Sequence, residues 1–223
     1  MAAEVDICNL ALAYLGDAAS VSSINPPDGS AQASHCARFY PIARDELLEM
    51  HTWSFTTTRT QLALAPTNPA STWKYAYQAP SNALNFLEVM DSQASAEYVA
   101  SVQLPYTSFG VPIPNVGIGV PQPFQIETDG NGSIIILTDQ QNAVLRYTAT
   151  ISDTTKFGPL ATSALAWLLA SKLAGPILKG DAGLQAAQAC YAAFLKVYEN
   201  AVESDSNDRL VTLAHGPAWM VNR

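Results

Sequence analysis

Between residues 31 and 50 the apolar side chains recur in steps of three and four: Ala33, Cys36, Tyr40, Ala43, Leu47 and Met50. This near-heptad seam is the signature of an amphipathic helix. Its apolar side has to be buried, so whatever fold the chain adopts must offer this helix a partner. Asp28 or Ser30 is placed to cap its start. Pro41 has no N–H to offer the carbonyl of Ala37, which predicts a kink there. A shorter helix precedes it, with Val5, Cys8, Leu12 and Leu15 on one stripe and Gly16 as its stop signal. The face of the long helix opposite its seam carries Arg38, Asp45 and Glu49, as a solvated or subunit-facing surface would.

After Trp53 the pattern changes to period two. Phe55–Leu62 is rich in threonine with apolar ends, and Trp73–Tyr77 alternates; both read as strands, and Leu84–Met90 reads as a third. Residues 91–123 are dense in proline and glycine, with bulky apolar residues between them, so a regular ladder cannot run through them. Disordered linkers are polar, and this one is not. It reads as an extended apolar arm for a neighbouring chain, the alternative being a loop folded over its own core. Phe124–Thr128 and Ser133–Leu137 flank Asp129-Gly-Asn-Gly132, a hairpin signal. Val144–Ile151 is expected to pair with the second hairpin strand through a turn at Gln140–Asn142.

A third helix is expected from Pro159, which suits the first helical position, with Ala161, Ala164, Leu165 and Leu168 inward. Gly175-Pro176 is expected to kink or break it, and Gly180-Asp181 to separate it from a fourth helix. In that helix Leu184, Ala187, Tyr191, Phe194, Tyr198 and Val202 form the predicted seam. Four helices with matching seams predict an α+β chain: a four-helix bundle, a small inserted antiparallel β lobe and an extended C-terminal arm. The expected divisions are 1–52 (N-terminal helical pair), 53–156 (β lobe with the 91–123 loop), 157–205 (C-terminal helical pair) and 206–223 (arm). The last division opens on a polar acidic stretch and then turns apolar, with Leu210, Leu213, Trp219 and Met220.

Composition narrows the function. Only 13% of residues are charged, against about a quarter in ordinary soluble domains. Such a surface is either covered by neighbours or simply rich in Ala, Ser and Thr. A net charge of −8 argues against a nucleic-acid clamp, which needs a basic patch, but suits a conduit along which DNA slides without sticking. Cys8, Cys36 and Cys190 each fall on an apolar helix stripe and form no CxxC pair, so buried thiols are expected rather than a disulfide framework or zinc site. No basic leader is visible at the N-terminus. The most apolar stretch, Leu160–Leu178, is interrupted by Lys172, Gly175 and Pro176, so no membrane span is expected.

Catalytic patterns are not found. His35, His51 and His215 have no second ligand at metal spacing, and His35-Cys36 point to different sides of a helix. His51 is expected to sit at the C-terminal end of the long helix, where a cation is favoured. Gly117-Ile-Gly119 lacks the context of a phosphate loop. Asp45 and Glu46, adjacent on a helix, diverge and cannot flank one substrate bond. Glu88 and Glu97 are no more distinctive than any exposed glutamate. No catalytic residue, cofactor or metal is expected.

Several of these residues together resemble the start of bacteriophage head-to-tail adaptor proteins of the tail tubular protein A type. They are Asn9, Leu12, Leu15 and Gly16; Ser30, Ala33, Cys36 and Tyr40; Arg44, Asp45, Leu47 and Leu48; and His51, Trp53 and Phe55. Trp73, Tyr75, Ala76, Tyr77 and Pro80, followed by Leu84 and Val89, extend the likeness to about the first ninety residues. Beyond them it is one of architecture. The resemblance implies a virion structural protein rather than an enzyme, a twelve-fold ring of itself between the portal protein and the next tail component. Genomic DNA would pass through the lumen without specific binding. The implied location is the head–tail junction of the virion, with the host cytoplasm during assembly.

On that reading Leu210, Leu213, Pro217, Trp219 and Met220 contact the portal. Tyr106, Phe109, Ile113 and Ile118 contact a neighbour or the tail, and Arg38, Arg44, Asp45 and Glu49 form ion pairs between subunits. The alternative is a virion-associated peptidoglycan or glycan hydrolase, which requires two carboxylates facing each other about 5–9.5 Å apart.

Overall fold

A computed structural model of the 223-residue chain describes residues 2–18, 20–70, 72–92 and 121–208. The fold is α+β, with four helices and two three-stranded sheets among these residues. It divides into two compact units: Met1–Thr57 with Thr148–Asp208, which is helical, and the intervening Thr58–Tyr147, which is built of strands.

The helical unit begins with α1 (Glu4–Tyr14) and α2 (Ala31–Met50). Cys8 and Leu12 of the expected α1 stripe are buried, together with Ile7 and Ala11. Gly16 follows at φ 76°, a left-handed position that favours glycine. Ser30 caps α2 by accepting from the Ala33 N–H at 3.1 Å. Asp28 supports that cap, accepting from the Ser30 hydroxyl and amide. Of the predicted α2 seam, Ala33, Cys36, Tyr40, Ala43 and Leu47 are buried, while Met50 is exposed and Leu48 is buried. The helix continues through Pro41 without a break.

Helix α3 (Pro159–Leu178) starts with proline at its first turn and buries nine residues, among them Ala161, Ala164, Leu165 and Leu168. It contacts α1, α2 and α4. It also runs past Gly175-Pro176, so the break that was one of the two outcomes expected there does not occur. By length and composition α3 could cross a membrane, contrary to the sequence expectation. Half of its most apolar window is buried in this unit, as in a core helix. Tyr14 of α1 stacks on Trp167 of α3 at 3.8 Å between ring centres.

Lys179, at φ 54°, separates α3 from α4 (Gly180–Asn207). The α4 seam is buried as predicted at Phe194, but its other buried apolar positions lie one residue before the predicted ones. Gly183, Cys190, Phe194 and Ala201 are buried, whereas Leu184 and Tyr191 are exposed. The cause is at Gly183: a Cβ there would meet the Ala174 carbonyl oxygen at 3.0 Å and the Gly175 Cα at 3.4 Å. The two backbones approach so closely that a side chain there would force its neighbours to give by a few tenths of an ångström, which favours glycine at this contact. The helix also includes Ser206 and Asn207, which were expected to begin the arm.

The second unit contains β1 (Thr57–Gln61), β2 (Tyr75–Gln78), β3 (Ala83–Met90), β4 (Phe124–Thr128), β5 (Ile134–Thr138) and β6 (Val144–Ala149), with the ends of β1 and β6 reaching into the helical unit. β4 and β5 form the expected antiparallel hairpin, from Phe124 opposite Thr138 to Thr128 opposite Ile134. Asp129 holds its turn by accepting from the Asn131 and Ser133 amides. β2 lies on the other side of β5, antiparallel. β6 does not pair with β5 as expected. It lies between β1 and β3 in the other sheet, because Gln140–Asn142 hands the chain across rather than turning it back on itself. Ala76, Ile135 and Leu137 form a core that Ala65, Ala70 and Trp73 cover. Gln122 is bridged to Val89, so the chain that leaves β3 is back beside its departure point before β4 begins.

Candidate functional site: a carboxylate clamp at the end of helix 4

The most elaborate polar cluster in the helical unit is assembled from two distant stretches. Helix α2 ends at His51, whose backbone is extended, and the chain turns sharply through Trp53. The carbonyl of Trp53 accepts from the amides of Thr56 and Thr57 and from both their hydroxyls. Trp53 is fully buried and donates its indole N–H to the Leu47 carbonyl at 2.9 Å. This turn aims His51 and Ser54 at Asp205, two residues before the end of α4. Ser54 donates its amide and its hydroxyl to Asp205 Oδ1 at 2.9 and 2.7 Å. The His51 ring Nε2 lies 3.2 Å from the other oxygen, Oδ2.

Asp205 is only 7% exposed, and an unpaired carboxylate at that depth would be costly. Its partners are what make its burial tolerable. Aromatic rings surround the turn. His51 meets Trp53 edge-on at 4.9 Å, Tyr198 meets Trp53 at 6.1 Å, and Phe55 lies 5.3 Å from Phe157. Tyr198 donates its hydroxyl to the Met50 carbonyl. The His-x-Trp-x-Phe run is thus a fastener between the α2 end and α4.

Serine, histidine and aspartate together invite comparison with a nucleophilic triad, but their order is wrong. In a triad the imidazole stands between hydroxyl and carboxylate and takes the hydroxyl proton. Here the carboxylate stands in the middle, and the Ser54 hydroxyl is committed to it. What the arrangement does is mechanical: it fixes the end of α4 to the α2–β1 turn. A cleft of about 260 Å³ opens beside it, lined by Trp53, Ser54, Phe55, Lys156, Pro159 and Asp208 among others. It is smaller than the usual small-molecule site.

Asn9 performs a similar task at the other end of α2. Its side chain accepts from the Val21 amide at 2.7 Å and donates to the Val21 carbonyl at 3.0 Å, holding the α1–α2 loop as a strand partner would. The three cysteines are buried thiols. A hydrogen bond with Cys36 and burial push the Cys8 thiol up, so it stays protonated.

The residues expected to form ion pairs between subunits lie on α2. Arg38 and Glu49 are exposed. Arg44 and Asp45 pair with each other, Nη2 to Oδ1, at 2.9 Å. The adjacent Glu46 pairs with Lys172 of α3, so the two neighbouring carboxylates do diverge. Glu88 is engaged by Arg146 at 3.4 Å. Tyr106, Phe109, Ile113 and Ile118, and Leu210, Leu213, Pro217, Trp219 and Met220, lie outside the described residues, as do Glu97 and His215. Among the described residues no group of three His, Cys, Asp or Glu side chains could hold a metal ion. Sequence reasoning overlooked Asp205 and Ser54, which lie 151 residues apart. The available signal was that Asp205 continues the buried face of α4, four residues after Ala201.

No protein-family model and no curated protein matches the chain.

Proposed function

We propose that the chain is a virion structural protein, a phage head-to-tail adaptor whose copies form a ring between the portal and the tail. Its four helices form a bundle that makes the ring body, and the acidic lumen passes DNA. The observation that carries the reading is what the resembling residues do. Asn9 pins the first loop, Ser30 caps α2, Cys36 and Tyr40 fill its seam, and His51, Trp53 and Phe55 build the turn that fastens α4. A likeness carried by residues that assemble one helical unit supports a shared architecture better than scattered surface matches would. Low charge content and exposed apolar residues on α2 and α4 favour a surface that neighbours cover.

The segment after Asp208, with Leu210, Leu213, Pro217, Trp219 and Met220, reaches the portal on this reading. The loop with Tyr106, Phe109, Ile113 and Ile118 meets a neighbour or the next tail component. No catalytic step is assigned. Removing 209–223 cuts after the last turn of α4 and leaves the Asp205 clamp in place. We expect the truncated chain to keep its far-ultraviolet circular dichroism and lose co-elution with portal rings. Undiminished portal binding by the truncated chain would refute the arm assignment.

A further inference from the structure

Two of the three buried thiols meet each other inside the helical unit. Cys8 stands in the middle of α1 and Cys36 in the first half of α2, and both are fully buried. Asn9, the residue after Cys8, holds the loop at Val21 by two hydrogen bonds, and Gln32 of α2 reaches Asp17 at 3.3 Å. These bonds fix the end of α1 against the start of α2. Between the two helices the Cys8 thiol donates a hydrogen bond to the Cys36 sulfur. On α4, Cys190 is perturbed by burial alone.

A hydrogen bond between thiols sets sulfur against sulfur, as a disulfide requires. Packing alone does not ask for it, because a buried thiol otherwise behaves as a small apolar group. The donated bond also makes the two sulfurs unequal. It holds the Cys36 thiol below its ordinary value, while the same bond and burial push the Cys8 thiol up. Cys36 is the sulfur that ionises first and attacks, and Cys8 is the one that resolves.

We infer that Cys8 and Cys36 form a latent disulfide, which a small-molecule disulfide closes to staple α1 to α2. The step is thiol–disulfide exchange. The Cys36 thiolate attacks one sulfur of the oxidant, forming a mixed disulfide and expelling a thiolate, which takes up the proton that Cys36 shed. Cys8 then attacks the Cys36 sulfur, the bond to the oxidant fragment breaks, and the Cys8 proton goes to that second departing thiolate. The cysteines lose two hydrogens and the oxidant becomes two thiols. Both sulfurs are closed to solvent, so the first step waits for α1 to open from α2. The pair stays reduced in a reducing compartment and closes slowly in an oxidising one. Nothing in this inference depends on the adaptor reading.

The full chain is incubated with oxidised glutathione, once folded and once unfolded in guanidinium. In the folded chain, free thiols counted after unfolding should fall from three to one, and peptide mapping should find Cys8 joined to Cys36. The bond closes a loop of about 30 residues and should raise the melting midpoint by about 4–16 °C. Cys8→Ala removes the resolving thiol and should show no such rise after the same treatment. The unfolded chain should give a mixture of the three possible pairings. A folded chain that keeps all three thiols, even in urea just below its unfolding transition, overturns the inference. So does pairing through Cys190, a folded chain no more selective than the unfolded one, or a Cys8–Cys36 bond that lowers the midpoint.

Discussion

Asp205→Ala removes the carboxylate that fastens α4 to the α2–β1 turn. The Ser54 amide and hydroxyl, at 2.9 and 2.7 Å, are hydrogen bonds to a charged acceptor. Each such bond is worth about 1.5–3 kcal/mol net. They share one acceptor with His51 and do not simply add. Losing both together, short of full additivity, sets the expected loss at about 3–5 kcal/mol. For a chain of this length each kcal/mol moves the melting midpoint by about 2–4 °C. The helical signal should therefore melt roughly 6–20 °C lower, followed by circular dichroism at the helix band. Asp205→Asn keeps an oxygen for Ser54 and should lose only about 1–2 kcal/mol, the value of one weakened bond. An Asp205→Ala chain that melts with the wild type would refute the clamp.

Three further outcomes are expected. Asn9→Ala removes both bonds to Val21 and should cost about 1–3 kcal/mol, two neutral hydrogen bonds; hydrogen exchange at the Val21 amide should quicken, and an unchanged rate would count against it. Gly183→Val places a branched side chain against the Ala174 carbonyl and should cost about 1–3 kcal/mol by overpacking, measured by urea unfolding; tolerance of valine would mean α3 and α4 are not so close. Asp28 accepts from the Ser22 amide and the Ser30 hydroxyl and amide, which hold its carboxyl well below its ordinary value of 3.8. Its contribution to stability is present above that pH and is lost as pH falls below it toward the folded value. A carboxyl carbon-13 titration should find Asp28 still ionised below pH 3.8, and a midpoint at the ordinary value would refute the assignment.

Local periodicity was a good guide wherever packing followed hydrophobicity. The α2 seam from Ala33 to Leu47 and the β4–β5 hairpin at Asp129–Gly132 were legible because each depends on nearby residues. The α4 seam was right at Phe194 and one residue late at Leu184 and Tyr191, because the close approach of Gly183 to α3 turns those two side chains outward. β6 was assigned to the nearer strand, but its partners β1 and β3 are distant in sequence, and nothing local names them. Pro41 did not break α2, since buried Tyr40 and Ala43 flank it and their packing outweighs a lost backbone bond; Gly175-Pro176 falls in the last turn of α3, which ends two residues later. The clamp was hidden for the simplest reason. Ser54 and Asp205 are ordinary polar residues 151 positions apart, and only the fold brings them together.

The central claim is that copies of this chain assemble on a portal ring. Light scattering gives the mass of the purified protein alone and after mixing with the matching portal ring. The account predicts a monomer, or weakly associating monomers, that become one large complex of fixed stoichiometry with the portal. A chain that stays at its own mass and leaves the portal mass unchanged would contradict it.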